Sequence, residues 1–378
     1  MGGISRGSLA FLGLGKLRWL LVVSLLALSA EAQVPGDARR GAEAFRAQGC
    51  IACHSVRGEG GKAAPDLGLP AGRTWEPAQM AARMWNHAPE MWLGLRRQGM
   101  TQPRPSAQDA ADLFAYFYGA RHSQDAGSAE RGRRLTDKRC AGCHAPSGGA
   151  SPAFSPAVLE DPISLAGRFW NHAAGPESSA NHARLSAREL SDIVEHTHSL
   201  AGGGPLQPAF SPGAPQAGLA VFQAKCSACH QYAPANPYPT RSLTDFQAAM
   251  WNHVPGKEPL AALSSEEMRA VVGYLWAQHY FDERGSVENG RRVFTQKRCA
   301  TCHGYGSADP ARLDGHTVPQ ASWSMVQAVW EHGPAMAARM ERDGFSWPRF
   351  EAREMADLIS YLASLRWLRA RPSPSPKR

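Results

Sequence analysis

The feature that most constrains this chain is its set of eight cysteines, at positions 50, 53, 140, 143, 226, 229, 299 and 302. Each pair encloses two residues and is followed at once by histidine, in CIACH (Cys50 to His54), CAGCH (Cys140 to His144), CSACH (Cys226 to His230) and CATCH (Cys299 to His303). A disulfide framework would leave the residue after each pair free to vary, and a thioredoxin-like redox pair would not need its histidine four times in one chain. Zinc ribbons set two such pairs about 15–20 residues apart. Here first cysteines are spaced by 90, 86 and 73 residues, a poor fit to zinc.

Cys-x-x-Cys-His is the attachment signature of a c-type haem. Two thiols at this spacing can each form a thioether with a porphyrin vinyl group, and the adjacent histidine is then held beneath the iron as proximal ligand. The expectation is four covalent haem c groups, with His54, His144, His230 and His303 proximal.

Residues 1–32 read as an export signal peptide. Arg6, Lys16 and Arg18 precede the uncharged run Trp19 to Ala30, and Ala30-Glu31-Ala32 matches a cleavage site. The run is shorter than the roughly 20 residues a membrane-spanning helix needs. Haem c attachment is chemistry of the exported compartment, so the expected location is a bacterial periplasm, with membrane association through an uncleaved segment as the alternative.

The rest of the chain divides into four similar units, expected at 33–125, 126–210, 211–283 and 284–368, before a basic disordered tail at 369–378. Each opens on glycine and a short amphipathic segment, GAEAFRAQGC, GRRLTDKRC, GLAVFQAKC and GRRVFTQKRC, whose large apolar residues are Phe45, Leu135, Phe222 and Phe294. A second helix ends in RMWNH, RFWNH, AMWNH or AVWEH, placing His87, His172, His253 and His332 in one register. Positions three and seven residues before that histidine are apolar, which puts it on a buried helical stripe. Glu76-Pro77 and Asp161-Pro162 look like starts of this helix, and Pro89, Gly175, Pro255 and Gly333 like its stops. A third helix closes each unit, with capping boxes at Ser186/Glu189 and Ser264/Glu267. No segment sustains period-two alternation, so the fold class is all-α, with about three helices per unit. Short linkers suggest that the four units pack as a rigid row.

With Gly-x-x-x-Phe before the haem motif of the first, third and fourth units, and Leu-x-x-Tyr-Leu or a close variant in their closing helices, each unit resembles a small class I cytochrome c domain, the second with His196 in place of the tyrosine. The resemblance covers nearly all of residues 36–368 and implies electron transfer by helices wrapped around a buried haem. The family usually supplies a methionine before proline as the sixth iron ligand, just upstream of the closing helix. Those slots read Gln102-Pro103, His182-Ala183, Leu260-Ala261 and Trp347-Pro348 here.

Something else must therefore face the iron. His87, His172, His253 and His332 recur in all four units and are the expected distal ligands; the competing role is a hydrogen bond to a haem propionate or backbone. Met91 and Met336, four residues beyond the first and last of these histidines, are alternatives, as is His182. His196 and His198 make the second unit the candidate for unusual chemistry. Trp85, Trp170, Trp251 and Trp330 are expected to pack on the porphyrin, their indole N–H groups within reach of a propionate.

Net charge is +8. Without residues 1–32 it is +6, and the segment Arg366 to Arg378 carries five of those charges, so the body is nearly neutral and gives no basis for nucleic-acid binding. The expectation is an exported tetrahaem cytochrome relaying single electrons between periplasmic or membrane redox proteins. The alternatives are a redox enzyme with one open haem, most plausibly in the second unit, and an electron-carrying subunit of a membrane respiratory complex.

Overall fold

The computed structural model describes residues 36–68, 76–122, 127–144, 162–174, 184–200, 210–230, 248–253, 261–280, 285–304, 313, 318–319 and 321–370. The expected signal peptide, residues 371–378 of the tail, His182 and Leu260 lie outside them. The fold is all-α apart from a two-residue hairpin, β1 (Ser55–Val56) with β2 (Glu59–Gly60).

Four repeats are visible. The first holds α1 (Ala38–Ala47), a 3-10 turn at Cys50–Ala52, the hairpin, α2 (Pro77–Arg97) and α3 (Ala107–His122). The second holds α4 (Ala129–Arg139), α5 (Ala141–His144), α6 (Pro162–Ala174) and α7 (Ala187–Ser199). The third holds α8 (Pro215–Lys225), helical residues 248–251 and α9 (Ser265–Tyr280). The fourth holds α10 (Val287–Gln296), α11 (Ala300–His303), α12 (Ser322–Glu331), α13 (Gly333–Arg342) and α14 (Ala352–Ala370). Helix α14 therefore runs two residues into the expected tail.

In every repeat the leading helix crosses the closing helix at the glycine that opens the repeat. A Cβ on Gly41, Gly132, Gly218 or Gly290 would stand about 2 Å from the carbonyl oxygen of Asp112, Asp192, Ala270 or Asp357, respectively. Only glycine lets the two backbones approach so closely. A second glycine five residues earlier (Gly36, Gly127, Gly213, Gly285) also meets the closing-helix backbone, a G-x-x-x-x-G pattern that the sequence reading passed over.

Beside each crossing the register holds Phe45 on Tyr116, Phe222 on Tyr274 and Phe294 on Tyr361, with ring centres 5.9, 5.4 and 5.3 Å apart. The second repeat departs from this. Four residues after its glycine stands Thr136, buried with no partner for its hydroxyl, while Leu135, expected in that place, packs on a separate small core with Leu185, Leu190 and Ile193.

A buried aspartate of the closing helix ties three crossings together. Asp192 accepts from Ser128 N–H (2.7 Å) and from Arg131 Nε and Nη2 (2.8 and 2.7 Å); Asp112 accepts from Asp37 N–H and Arg40, and Asp357 from Ser286 N–H. In the third repeat Ala270 takes this place, and Gly213 N–H donates to Arg269 O instead.

The repeats do not form a row in chain order. The second packs on the third, α6 against α9, and the first packs on the fourth, α2 against α12 and α14. Phe210 and Ser211, leading into the third repeat, touch the first: Ala38 N–H donates to Phe210 O (3.0 Å), and Phe210 lies 5.1 Å from Tyr118. The contacts run second, third, first, fourth rather than in chain order, because the side chains that join repeats come from the Trp-Asn-His segment and the loop before the closing helix, whose partners are set in space rather than by linker length.

The expected stops also need correction. Pro77 and Pro162 do start their helices, and both capping boxes form. Pro89, however, lies inside α2, which continues past His87 to Arg97. A proline there cannot bond the carbonyl four residues back. That carbonyl, Trp85 O, accepts the indole N–H of Trp347 from the fourth repeat (3.0 Å). The same substitution recurs in mirror fashion, where Pro334 follows Trp330 by four and Trp330 O accepts from Gln102 Nε2 of the first repeat (2.6 Å). At Gly333 the expected stop holds, since α12 ends at Glu331, and the same glycine opens α13. Gly175 and Pro255 fall outside the described residues.

Candidate functional site

Each site is assembled from the loop after a leading helix and the end of the Trp-Asn-His segment in the same repeat. The cysteine motif is wound into one tight turn, with His54, His144, His230 and His303 N–H each donating to the carbonyl of the first cysteine of its motif (2.9 Å in all four). This brings the backbone of both cysteines and of the histidine in each motif to one end of the leading helix. Among the described cysteines none forms a disulfide, and no cluster of three or more metal-binding side chains occurs among the described residues. Burial pushes the Cys50 and Cys299 thiols up to about 11 and raises that of Cys226. A working redox dithiol needs the opposite shift. The side chain of Cys143 is not among those described.

In the second, third and fourth repeats the recurring histidine meets the motif histidine of its own repeat. Ring centres are 5.9 Å apart for His144 and His172, 6.0 Å for His230 and His253, and 5.9 Å for His303 and His332. An imidazole nitrogen binds a metal at about 2.0–2.1 Å, so two imidazoles on opposite sides of one ion stand roughly 6.3 Å apart, centre to centre. The observed pairs fit that spacing. Burial, then the neighbouring motif histidine, holds His253 below the ordinary imidazole range, which favours the neutral form a metal requires.

In the first repeat both histidines use Nδ1 on a backbone carbonyl, His54 with Pro65 O (2.9 Å) and His87 with Arg83 O (2.8 Å). This second contact fixes the ring and presents Nε2 to a ligand, as outer partners of metal-bound histidines do. One expectation is corrected here. His172 and His253 are half-buried, but His87 and His332 are exposed, although Met80, Met325 and Val329 of the apolar stripe before them are buried.

The other candidates fall elsewhere. His196 occupies the tyrosine register, its Cβ against Gly132 at the helix crossing. Met91 packs against the main core and Met336 is half-buried on α13. Gln102 and Trp347, in the slots where the family places methionine, donate across to the paired repeat. The tryptophans are also redeployed: Trp85 Nε1 donates to Pro348 O (2.9 Å), Trp170 Nε1 to Ala261 O (2.9 Å) and Trp330 Nε1 to Met84 Sδ (3.1 Å), so these N–H groups serve the joints between repeats and not a propionate.

The asparagine of the motif is the residue the sequence reading missed. Asn171 clamps Leu263, its Nδ2 donating to Leu263 O (2.6 Å) and its Oδ1 accepting from Leu263 N–H (2.8 Å). Asn252 clamps Leu185 in the same way (2.6 and 3.0 Å), and Asn86 clamps Phe350 (2.8 and 2.8 Å). Its recurrence beside the histidine was the available signal.

The cytochrome c pattern matches residues 38–118, 129–218 and 287–366. The chain belongs to the cytochrome c family. This cytochrome therefore carries covalently bound haem c and transfers electrons through it. The three matches take in the first, second and fourth repeats, and most of the third lies between them. No curated protein and no solved structure matches the chain.

Proposed function

We propose that this cytochrome holds four haem c groups, each attached through its Cys-x-x-Cys pair, and relays single electrons between redox proteins of a bacterial periplasm or its membrane. Haem c, when bound, supplies a one-electron iron couple whose potential the protein sets through axial ligand, burial and hydrogen bonding. The residues assigned to it are Cys50 and Cys53, Cys140 and Cys143, Cys226 and Cys229, and Cys299 and Cys302. His54, His144, His230 and His303 are the proximal ligands, and His87, His172, His253 and His332 the distal ones.

The observation that carries this reading is the imidazole pairing at 5.9–6.0 Å, which is present in the third repeat as in the second and fourth. The third repeat, although outside most of the family match, brings the same groups to the same separation. Two neutral imidazoles per site favour a lower potential than a histidine and methionine pair. Export of residues 33–378 through the segment 1–32 agrees with the compartment in which haem c is attached.

The intact mass of the secreted protein and its pyridine haemochrome content test the count; four haems per chain are expected, and three would remove the third repeat from the reading. A near-infrared band of methionine-bound ferric iron, present at any of the four sites, would overturn the all-histidine assignment.

A further inference from the structure

Between the second and third repeats, each recurring histidine lies against a tryptophan of the other repeat. His172 stacks on Trp251, with ring centres 5.5 Å apart and planes 15° apart. His253 lies 4.9 Å from Trp170, the planes inclined by 45°. Both indoles are themselves fixed across the joint. Trp170 is buried and donates to Ala261 O, and Trp251 meets Phe169 edge to face at 5.1 Å. Asn171 and Asn252, adjacent to the two tryptophans, clamp the opposite loops.

We propose that Trp251 and Trp170 are positioning residues for the facing repeat: Trp251 sets the ring plane of His172, and Trp170 that of His253. The inference rests on the reading of these histidines as distal ligands. A ring ligating through one nitrogen remains free to rotate about the metal–nitrogen axis unless something lies against its face. For His172 that face is covered by an indole from another repeat, so the ligand of the second site is held by the third and the reverse. The two sites then form a reciprocal pair in which a change of packing in one repeat is read at the iron of the other.

The test uses the full-length oxidised protein and its low-temperature EPR spectrum, which depends on the relative planes of the two axial imidazoles. His172→Ala and His253→Ala first identify which signal belongs to which repeat. Trp251→Leu is then expected to shift the signal and midpoint potential assigned to the second repeat more than those of the third, and Trp170→Leu to do the opposite. Trp251→Phe, which keeps a smaller aromatic face, is expected to shift the same signal by less, and it carries the test should the leucine variant not fold. A shift confined to the mutated residue's own repeat, or no shift in either, overturns the proposal while leaving the ligand assignment intact. Retention of all signals in His172→Ala overturns both.

Discussion

The two joints between repeats use the same motif and solve different problems with it. The joint of the second and third repeats is reciprocal, with Asn171 on Leu263, Asn252 on Leu185, and each tryptophan beside the opposite histidine. The joint of the first and fourth has one such arm, Asn86 on Phe350. On the other side Glu331 stands where asparagine would be, and it would face Pro105, the residue before the closing-helix cap. Proline has no N–H to offer an asparagine oxygen, so the clamp could not close. The deficit is met by aromatic packing: Trp85 stacks on Trp347 at 4.9 Å, Trp347 meets Trp92 edge to face at 5.4 Å, and Phe114 lies 5.3 Å from Trp323. A repeated motif thus fixes where two units meet, while the strength of the joint comes from whichever contacts the local backbone permits.

The largest effect should come from the aromatic joint. Trp347→Ala removes two ring contacts and leaves Trp85 O, already deprived of a helical partner by Pro89, without a donor. Truncating a fully buried tryptophan costs about 3–5 kcal/mol, and Trp347 is half-buried, so the loss should fall at the lower end of that range. In denaturant unfolding followed by haem absorbance, this variant should loosen the first and fourth repeats together and leave the second and third unchanged. Uniform loss over all four repeats would mean that the two joints are not separate units of stability.

A middle-sized effect should separate the clamps. Asn171→Ala strips two hydrogen bonds from the backbone of Leu263, and a buried group left unpaired costs about 1–3 kcal/mol. Glu331→Ala, at the position with no clamp, should stay within about 0.5 kcal/mol. Pro105→Leu returns an N–H to the facing loop, so Glu331→Asn should stabilise the first joint only in that background. The measurement is the coupling energy of the double-mutant cycle; additive single effects would show that the second arm cannot form.

Much of this architecture was legible from residue type alone. Cys-x-x-Cys-His announces its chemistry because two thiols and an imidazole at that spacing have few other uses, and the leading and closing helices announce themselves through periodicity and caps. The pairing of repeats was not legible. Asn86, Asn171 and Asn252 contact backbone at Phe350, Leu263 and Leu185, which any residue with an N–H could supply, so no complementary side chain marks the partner. Pro89 misled for a related reason: the rule that proline stops a helix assumes the freed carbonyl has no other donor, and the indole of Trp347 arrives from the far end of the chain. In the second repeat Leu135 was the obvious apolar residue, yet Thr136 holds the buried register, because the register is set by distance from Gly132 and not from Cys140.

The smallest expected effect concerns acid, and it distinguishes the third repeat from the second within the reciprocal joint. Asp192 is only 5% exposed, and burial alone would raise its carboxyl; the Arg131 guanidinium and Ser128 N–H outweigh burial and hold it below the ordinary carboxylate value. A carboxylate depressed in the folded state adds stability that is fully present above the unfolded value, about 3.9, and is lost as pH falls through the lower folded value. In the third repeat Ala270 replaces the aspartate and Ala217 stands in the register of Arg131, so no such group titrates at that crossing. The denaturation midpoint of Asp192→Asn, followed from pH 6 downward, should therefore fall less steeply below about pH 4 than that of the parent. Because Arg131 is 42% exposed, solvent screening keeps the difference modest. Ala270→Asp alone would bury a carboxylate without its guanidinium and should destabilise the third repeat at neutral pH, whereas Ala217→Arg with Ala270→Asp should recover that loss and introduce the acid limb the repeat lacks. Parallel acid curves for Asp192→Asn and parent would mean that the ion pair orients the helix crossing without contributing to its stability.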